Sequence, residues 1–313
     1  MGRLSRHLSM GLALPVLALA ACGIGTPPQD RDSSSGSPPS TAAPRTPATP
    51  PVTPSPETTE DAAPISRAEQ SALDEELRAA TWDNDLDRAT ELIARGADVN
   101  AKDATEQSAY LITTSEGYLD LLNLTLAHGA LIDDKDSWNG TGLIRAAERG
   151  HALVVGRLLQ AGIDRDHVNR IGYQAIHEAV WLGQDTRSYH DTIRALIAGG
   201  VELTRRSSNE GLTPLQMTQR RGYPGTEAIL RAALDPPDLT DPDAALLRAA
   251  RTGDPDLAAL ALRAGADLEA RDANQRTALL LAAANDRVAV ARLLVALGGT
   301  PTPWTTATTP RGW

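Results

Sequence analysis

Residues Ala94 to Asp103 read ARGADVNAKD, and weaker copies return at a nearly fixed step: AHGALIDDKD from Ala127, QAGIDRDHVN from Gln160, AGGVELTRRS from Ala198 and RAGADLEARD from Arg263. Gly96, Gly129 and Gly162 stand 33 residues apart, as do Gly265 and Gly298. A chain that repeats itself at this step folds as a stack of like units, each burying its apolar face on its neighbours. A second landmark lies 12 residues before the glycine, at Gly117, Gly150 and Gly253, with Asn84 and Asp286 in the outermost copies. These residue types accept the left-handed backbone that ends a helix, so each unit has two helix stops. A third landmark, 21 residues before the glycine, is Ser108, Thr141 and Thr277; Thr213, followed by Pro214, holds the equivalent place before Gly222. A hydroxyl there accepts a free N–H of the first helical turn, and proline fits the first helical position.

Two short helices and an extended hairpin on this period resemble the ankyrin repeat over roughly Ser66 to Thr300. The family's TPLH-x-AA start is matched best by TPLQM at Thr213, QAIHEAV at Gln174 and TALLLAA at Thr277. The resemblance implies an all-α solenoid of stacked helix pairs with short β-hairpin tips, about seven repeats in all.

Such a solenoid lengthens without a second core, so 313 residues need only one elongated domain. Phenylalanine is absent and aromatics make up 3%, which leaves Leu, Ala, Val and Ile to fill the core. The net charge of −10 opposes nucleic-acid binding, which needs a basic stripe to neutralise phosphates. Apart from Lys102 and Lys135, every lysine or arginine is Arg.

The chain begins with a short basic segment (Arg3, Arg6, His7) and the apolar run GLALPVLALA from Gly11 to Ala20. The run is too short to span a membrane and has the proportions of a secretory signal. It ends in Leu19-Ala20-Ala21-Cys22, which resembles the lipobox of bacterial lipoproteins. The resemblance implies cleavage after residue 21, acylation of Cys22 and a membrane tether on the extracytoplasmic face. Gly23 follows, so the Asp of the inner-membrane retention signal is missing, and with one cysteine no internal disulfide can form. Residues 22–65 are rich in Pro, Ser and Thr with few large apolar side chains, the composition of an extended, disordered spacer.

Repeats one to five are expected over 66–234. The first, from Leu73 to Gly96, opens with charged residues, as a capping unit requires. In the fourth, Gly183 to Gly200 is 17 residues where 12 are expected, and the five extra fall within Gln184 to Thr192, read as a loop between its helices. The fifth ends in LDPPDLTDPD with no glycine and no hairpin, so 235–243 is an interruption. Residues 244–300 form two more repeats that either restack or make a small hinged unit, and 301–313, with Trp304 and Trp313, is a disordered tail.

No catalytic constellation stands out: there is no G-x-S-x-G, no phosphate-binding G-x-x-x-x-G-K-[ST], no H-E-x-x-H and no cysteine pair. Asp134, Asp136 and Asn139 before Gly140 only loosely match a calcium loop, since the closing Glu is Arg145. His177 occupies the family's structural histidine. No metal or cofactor is expected.

Ankyrin repeats bind proteins through their hairpin tips and the exposed side of their first helices, which line a concave groove. Carried onto this chain, the tips offer Lys102, Lys135, Trp138, His167, Arg170 and Arg205, and the first helices Arg145, Glu148, Glu178 and Trp181. Trp and Arg are frequent binding anchors. The leading expectation is a monomeric, membrane-tethered scaffold for an unknown protein partner, with a role as accessory to an exported enzyme. Its alternatives are a toxin-neutralising immunity lipoprotein, a mechanical spacer in the cell wall, and an enzyme or small-ligand receptor using Tyr189, His190 and His167 at the insertion.

Overall fold

The computed structural model describes residues 66–300; the signal-like run, Cys22, the Pro/Ser/Thr-rich stretch and the tail from Pro301 lie outside the described residues. The described chain forms fourteen α-helices in seven pairs. The first pair is α1 (Arg67–Trp82) and α2 (Leu86–Ala94), the second α3 (Ala109–Glu116) and α4 (Leu119–Ala127), and the third α5 (Gly142–Glu148) and α6 (Ala152–Gln160). Then come α7 (Ala175–Trp181) with α8 (Arg187–Ala198), and α9 (Pro214–Arg221) with α10 (Pro224–Leu234). The last two are α11 (Pro242–Thr252) with α12 (Pro255–Arg263), and α13 (Ala278–Ala284) with α14 (Val288–Ala296).

The landmarks do what their chemistry predicts. Ser108, Thr213 and Thr277 accept the N–H groups of Leu111, Gln216 and Leu280 at 3.2, 3.3 and 3.3 Å. Thr141 has the same extended backbone, but its buried hydroxyl makes no cap bond. Asn84 and Asp286 both take φ 55°, the left-handed conformation that their glycine counterparts adopt in the inner copies.

The expected hairpin tips shrink to isolated antiparallel bridges, Lys135 with Thr141 and Arg271 with Thr277. An aspartate folds the chain between each pair of bridging residues. Asp136 Oδ1 accepts the N–H groups of Trp138 and Gly140, and Asp272 Oδ1 those of Asn274 and Arg276. Successive turns are hooked together by a side chain accepting the N–H 31 residues on: Asn100 from Leu131, Asp133 from Asp164 and Glu269 from Thr300. Asp166 reaches Glu202 in the same way across the longer fourth repeat. The fifth repeat has no turn segment to carry such a hook, so the ladder breaks there.

After the break the last two pairs neither extend the row nor stand apart as a hinged unit. The first helices pack in the order α1, α3, α5, α7, α9, and α11 then packs with α13 in a separate short row. Helix α12 lies on α8, and α14 lies on both α6 and α8. The returning pairs thus cover the backs of repeats three and four. Arg194 Nε donates to Asp256 Oδ1 at 2.7 Å, Arg292 Nε to Asp191 Oδ2 at 2.8 Å, and Gln160 Nε2 to the Ala296 carbonyl at 3.1 Å. Arg263 Nη1 donates to the carbonyls of Ile197 and Val201.

The sequence of the covered helices explains the return. A second helix that packs only within a row needs one apolar stripe, as in α2, where Ala89 and Leu92 alone are buried. Helix α6 buries Val154, Val155, Gly156, Leu158 and Leu159, and α8 buries every residue from Asp191 to Ile197 except Arg194. Each such Val, Leu or Ile side chain contributes about 1.5–3 kcal/mol when removed from water. One apolar core accordingly runs from the second repeat through the seventh, with a smaller cluster around Leu73, Leu77 and Leu92 closing the first.

The five extra residues of the fourth repeat do not form a slack loop. They are absorbed by a longer α8, 12 residues against 9 in α6, and by a wider connection that begins after Trp181. Asp185 in that connection accepts the N–H groups of Gly225 and Thr226 at 2.9 and 2.8 Å, capping α10, whose own N-cap Tyr223 makes no side-chain cap bond. Tyr189, one turn into α8, donates its hydroxyl to the Glu148 carbonyl at 3.0 Å. The insertion therefore ties repeats three, four and five together.

Candidate protein-binding face

Because the returning pairs sit on the second helices, they leave uncovered the opposite side of the array, formed by α1, α3, α5, α7, α9 and the turns between repeats. The sequence-predicted contact residues divide into three groups on this side. Trp138, Arg170 and Arg205 are exposed. Trp138 keeps 59% of its surface in solvent and sits on a turn fixed by Asp136 and by its own carbonyl, which accepts the Arg170 N–H. An indole held out by a rigid turn loses little entropy when a partner covers it.

A second group is engaged in holding neighbouring turns. Lys102 Nζ donates to Asp134 Oδ1 at 2.7 Å and to the Lys135 carbonyl at 2.8 Å, while Lys135 itself is half-buried. His167 Nε2 lies 2.8 Å from the Asn139 carbonyl, so the ring donates across the repeat boundary. The calcium-like cluster is occupied in the same way, since Asp136 is paired with Arg145 and accepts two backbone N–H groups.

The third group is a polar cluster at the junction of α5 and α7. Arg145 bridges Asp136 and Glu148, and behind it Glu178 is only 2% exposed, accepting one hydrogen bond at 2.6 Å from Asn169 Nδ2. Its Oε2 has no partner. Burial, and then the neighbouring Glu148 carboxylate, push the Glu178 carboxyl up to about 7, against the opposing pull of Asn169 and Arg145. Glu178 is therefore a buried group beneath the surface and not a contact on it.

His177 is structural, as the resemblance implies. Its Nδ1 accepts the Gln174 N–H at 3.2 Å and its Nε2 faces the Arg205 carbonyl at 3.0 Å, so Nε2 carries the proton; burial lowers its pKa. At the insertion, His190 pairs with Asp185 at 2.7 Å, and no contact among the described residues joins His167 to Tyr189 or His190. No group of three or more His, Cys, Asp or Glu capable of holding a metal occurs among the described residues. Nor is any described helix long and apolar enough to cross a membrane.

Sequence reasoning missed the surroundings of Trp181. The ring is half-buried, with the guanidinium carbons of Arg220 and Arg221 5.7 and 5.8 Å from its centroid, and Arg221 is also 5.1 Å from the Tyr223 ring. The signal was available: Arg220 and Arg221 fall in the fifth repeat at the places that Trp181 and Leu182 fill in the fourth.

Paired helices, left-handed stops and turn-to-turn hooks on a 33-residue step define a helical repeat array with one covered and one open side. The family model described as "Ankyrin repeats (many copies)" matches residues 246–295. The putative ankyrin repeat protein YahD of Escherichia coli (strain K12) is 29% identical over 143 residues, 45% of this chain and 71% of that protein. A Caenorhabditis elegans homolog of transient receptor potential cation channel subfamily A member 1 is 28% identical over 196 residues, which cover 62% of this chain and 16% of the channel. The crystal structure of an ankyrin repeat domain from Acinetobacter baumannii is 41% identical, covers 50% of this chain and 80% of that one, and overlays at a TM-score of 0.48. The chain belongs to the ankyrin-repeat family.

Proposed function

We propose that this protein is a membrane-tethered scaffold that holds a protein partner against its open side, outside the cytoplasm. The observation that carries the binding half of this reading is Trp138, an indole 59% exposed on a turn whose backbone is fixed by Asp136. Arg170, bonded to the Trp138 carbonyl through its N–H, and Arg205 further along the same side are exposed and take part in no ion pair among the described residues. Trp and Arg on a rigid support are the residues that most often anchor interfaces.

The tether rests on the sequence alone, on Cys22 following a short apolar run. Cells fed a clickable palmitate analogue should label the wild-type chain and not Cys22→Ser; equal labelling removes the tether. For the binding half, photo-crosslinkers placed at Trp138 and Arg170 in the native envelope should capture a discrete partner. Capture should be lost when Trp138, Arg170 and Arg205 are replaced together by alanine, serine or glutamine. Capture unchanged by that replacement contradicts binding through this side.

A further inference from the structure

The open side is not uniform in charge. The turn before the fifth repeat and helix α9 carry Arg205, Arg206, Arg220 and Arg221 in a chain of net charge −10. None of these four arginines lies within ion-pair distance of a carboxylate among the described residues. Arg206 is taken up by the Gly211 carbonyl and the Gln216 side chain, and Arg221 by the Tyr223 hydroxyl at 2.6 Å. By contrast the neighbouring Arg149 and Arg231 each pair with a glutamate.

Arg220 and Arg221 both crowd the ring of Trp181, and both are exposed. The ring attracts each cation, but the two guanidinium groups repel one another, and neither is within ion-pair distance of a carboxylate among the described residues. Leu182, the next residue in the chain after Trp181, leaves 52% of its surface in solvent. The patch is thus an indole flanked by two planar cations, whose N–H forks match carboxylates in geometry.

We propose that this patch docks an acidic segment of the protein partner, with two or more Asp or Glu side chains engaging Arg220 and Arg221 and an adjacent large apolar side chain resting on Trp181 and Leu182. The proposal rests on the scaffold reading and names the chemistry of the partner. A patch of two arginines on one indole, in a chain of net charge −10, suits a short acidic peptide better than a nucleic acid, whose binding needs many phosphates neutralised along its length.

The test pans a displayed library of random short peptides on the full chain, then measures the affinity of the enriched sequences by fluorescence polarisation. Enriched peptides should place Asp or Glu beside Leu, Ile or Phe. Replacing those acids by Asn and Gln should weaken binding at least about tenfold, as should the exposed pair Arg220→Gln/Arg221→Gln, and high salt should do the same. Arg220→Lys/Arg221→Lys should recover part of the affinity, and thermal melts of both variants should match the wild type, which separates lost docking from lost folding. Enriched peptides without acids, unchanged affinity in the glutamine variant, or tighter binding of oligothymidylate would overturn the proposal. So would sedimentation showing that a second copy's acidic first repeat occupies the patch. Those outcomes leave the scaffold reading standing, because that reading falls only if capture ignores Trp138, Arg170 and Arg205.

Discussion

Gly156 of α6 lies so close to the backbone of Ala296 on α14 that a methyl group added to it would stand 2.0 Å from the Ala296 carbonyl oxygen. These residues belong to the third and seventh repeats, 140 positions apart, and their contact exists only because the last two pairs turn back on the array. Glycine within a helix is ordinarily a weakness, and here it is the condition for two helices to meet.

Gly156→Ala therefore has an inverted sign. In a helix that faced solvent, alanine would stabilise by roughly 0.5–1 kcal/mol. Against Ala296 it forces α14 off α6 and is expected to destabilise by about 1–3 kcal/mol. Urea denaturation followed by circular dichroism reads the difference directly, and a stabilised variant would mean that α14 does not pack on α6 at Gly156.

Which parts of this architecture the sequence made legible follows from range. The glycine step, the cap hydroxyls and the left-handed Asn84 and Asp286 are local, and each is visible in a window of a few residues. The return of the last two repeats is not local. Its trace was present in the two-sided apolar composition of ALVVGRLLQ and in a mid-helix glycine, but a periodic pattern invites the reading that the next unit simply stacks on the last. The insertion misled for a related reason: length alone suggests a loop, whereas Asp185 and Tyr189 find partners 40 or so residues away. At the open side, residue type singled out Trp138, Arg170 and Arg205, which are exposed, but burial at Glu178 and the pairing of Lys102, Arg145 and His167 depend on contacts that residue type does not reveal.

Asp185 caps a helix in the next repeat, so its removal should be felt at a distance. Burial would raise its pKa, but the bonds from His190, Gly225 and Thr226 prevail and hold it at about 2. A depressed carboxylate gives stability that is complete above its unfolded value near 4 and is lost as the pH falls towards 2. Asp185→Asn keeps one acceptor oxygen but turns an amide NH2 towards the Gly225 or Thr226 N–H, and is expected to cost about 1–2 kcal/mol at neutral pH and to flatten the acid limb of the stability curve. Chemical denaturation from pH 6 down to pH 2 checks both; an unchanged acid limb would assign that stability elsewhere.

Glu178 has the opposite dependence. Its pKa is raised from 4.5 to about 7, so the folded state holds the proton more tightly than the unfolded chain does. Stability from this group is present below pH 4.5 and is lost as the pH rises through 7, by up to about 3 kcal/mol. Glu178→Gln should remove that decline, leaving the variant more stable relative to wild type at pH 8 than at pH 5. Paired thermal melts at these two values decide it, and a difference that does not change with pH would show that the carboxyl is not perturbed.

Repeats six and seven lie on the backs of repeats three and four. The most direct measurement is the separation of spin labels at Leu153 and Val288, in a chain whose one cysteine, Cys22, is replaced by serine. Both positions are exposed and line the same cleft between α6 and α14. The folded-back arrangement predicts strong short-range dipolar coupling between them. A continuous row of seven repeats, at the 8–10 Å spacing of packed helices, would put them roughly 30–40 Å apart and contradict it.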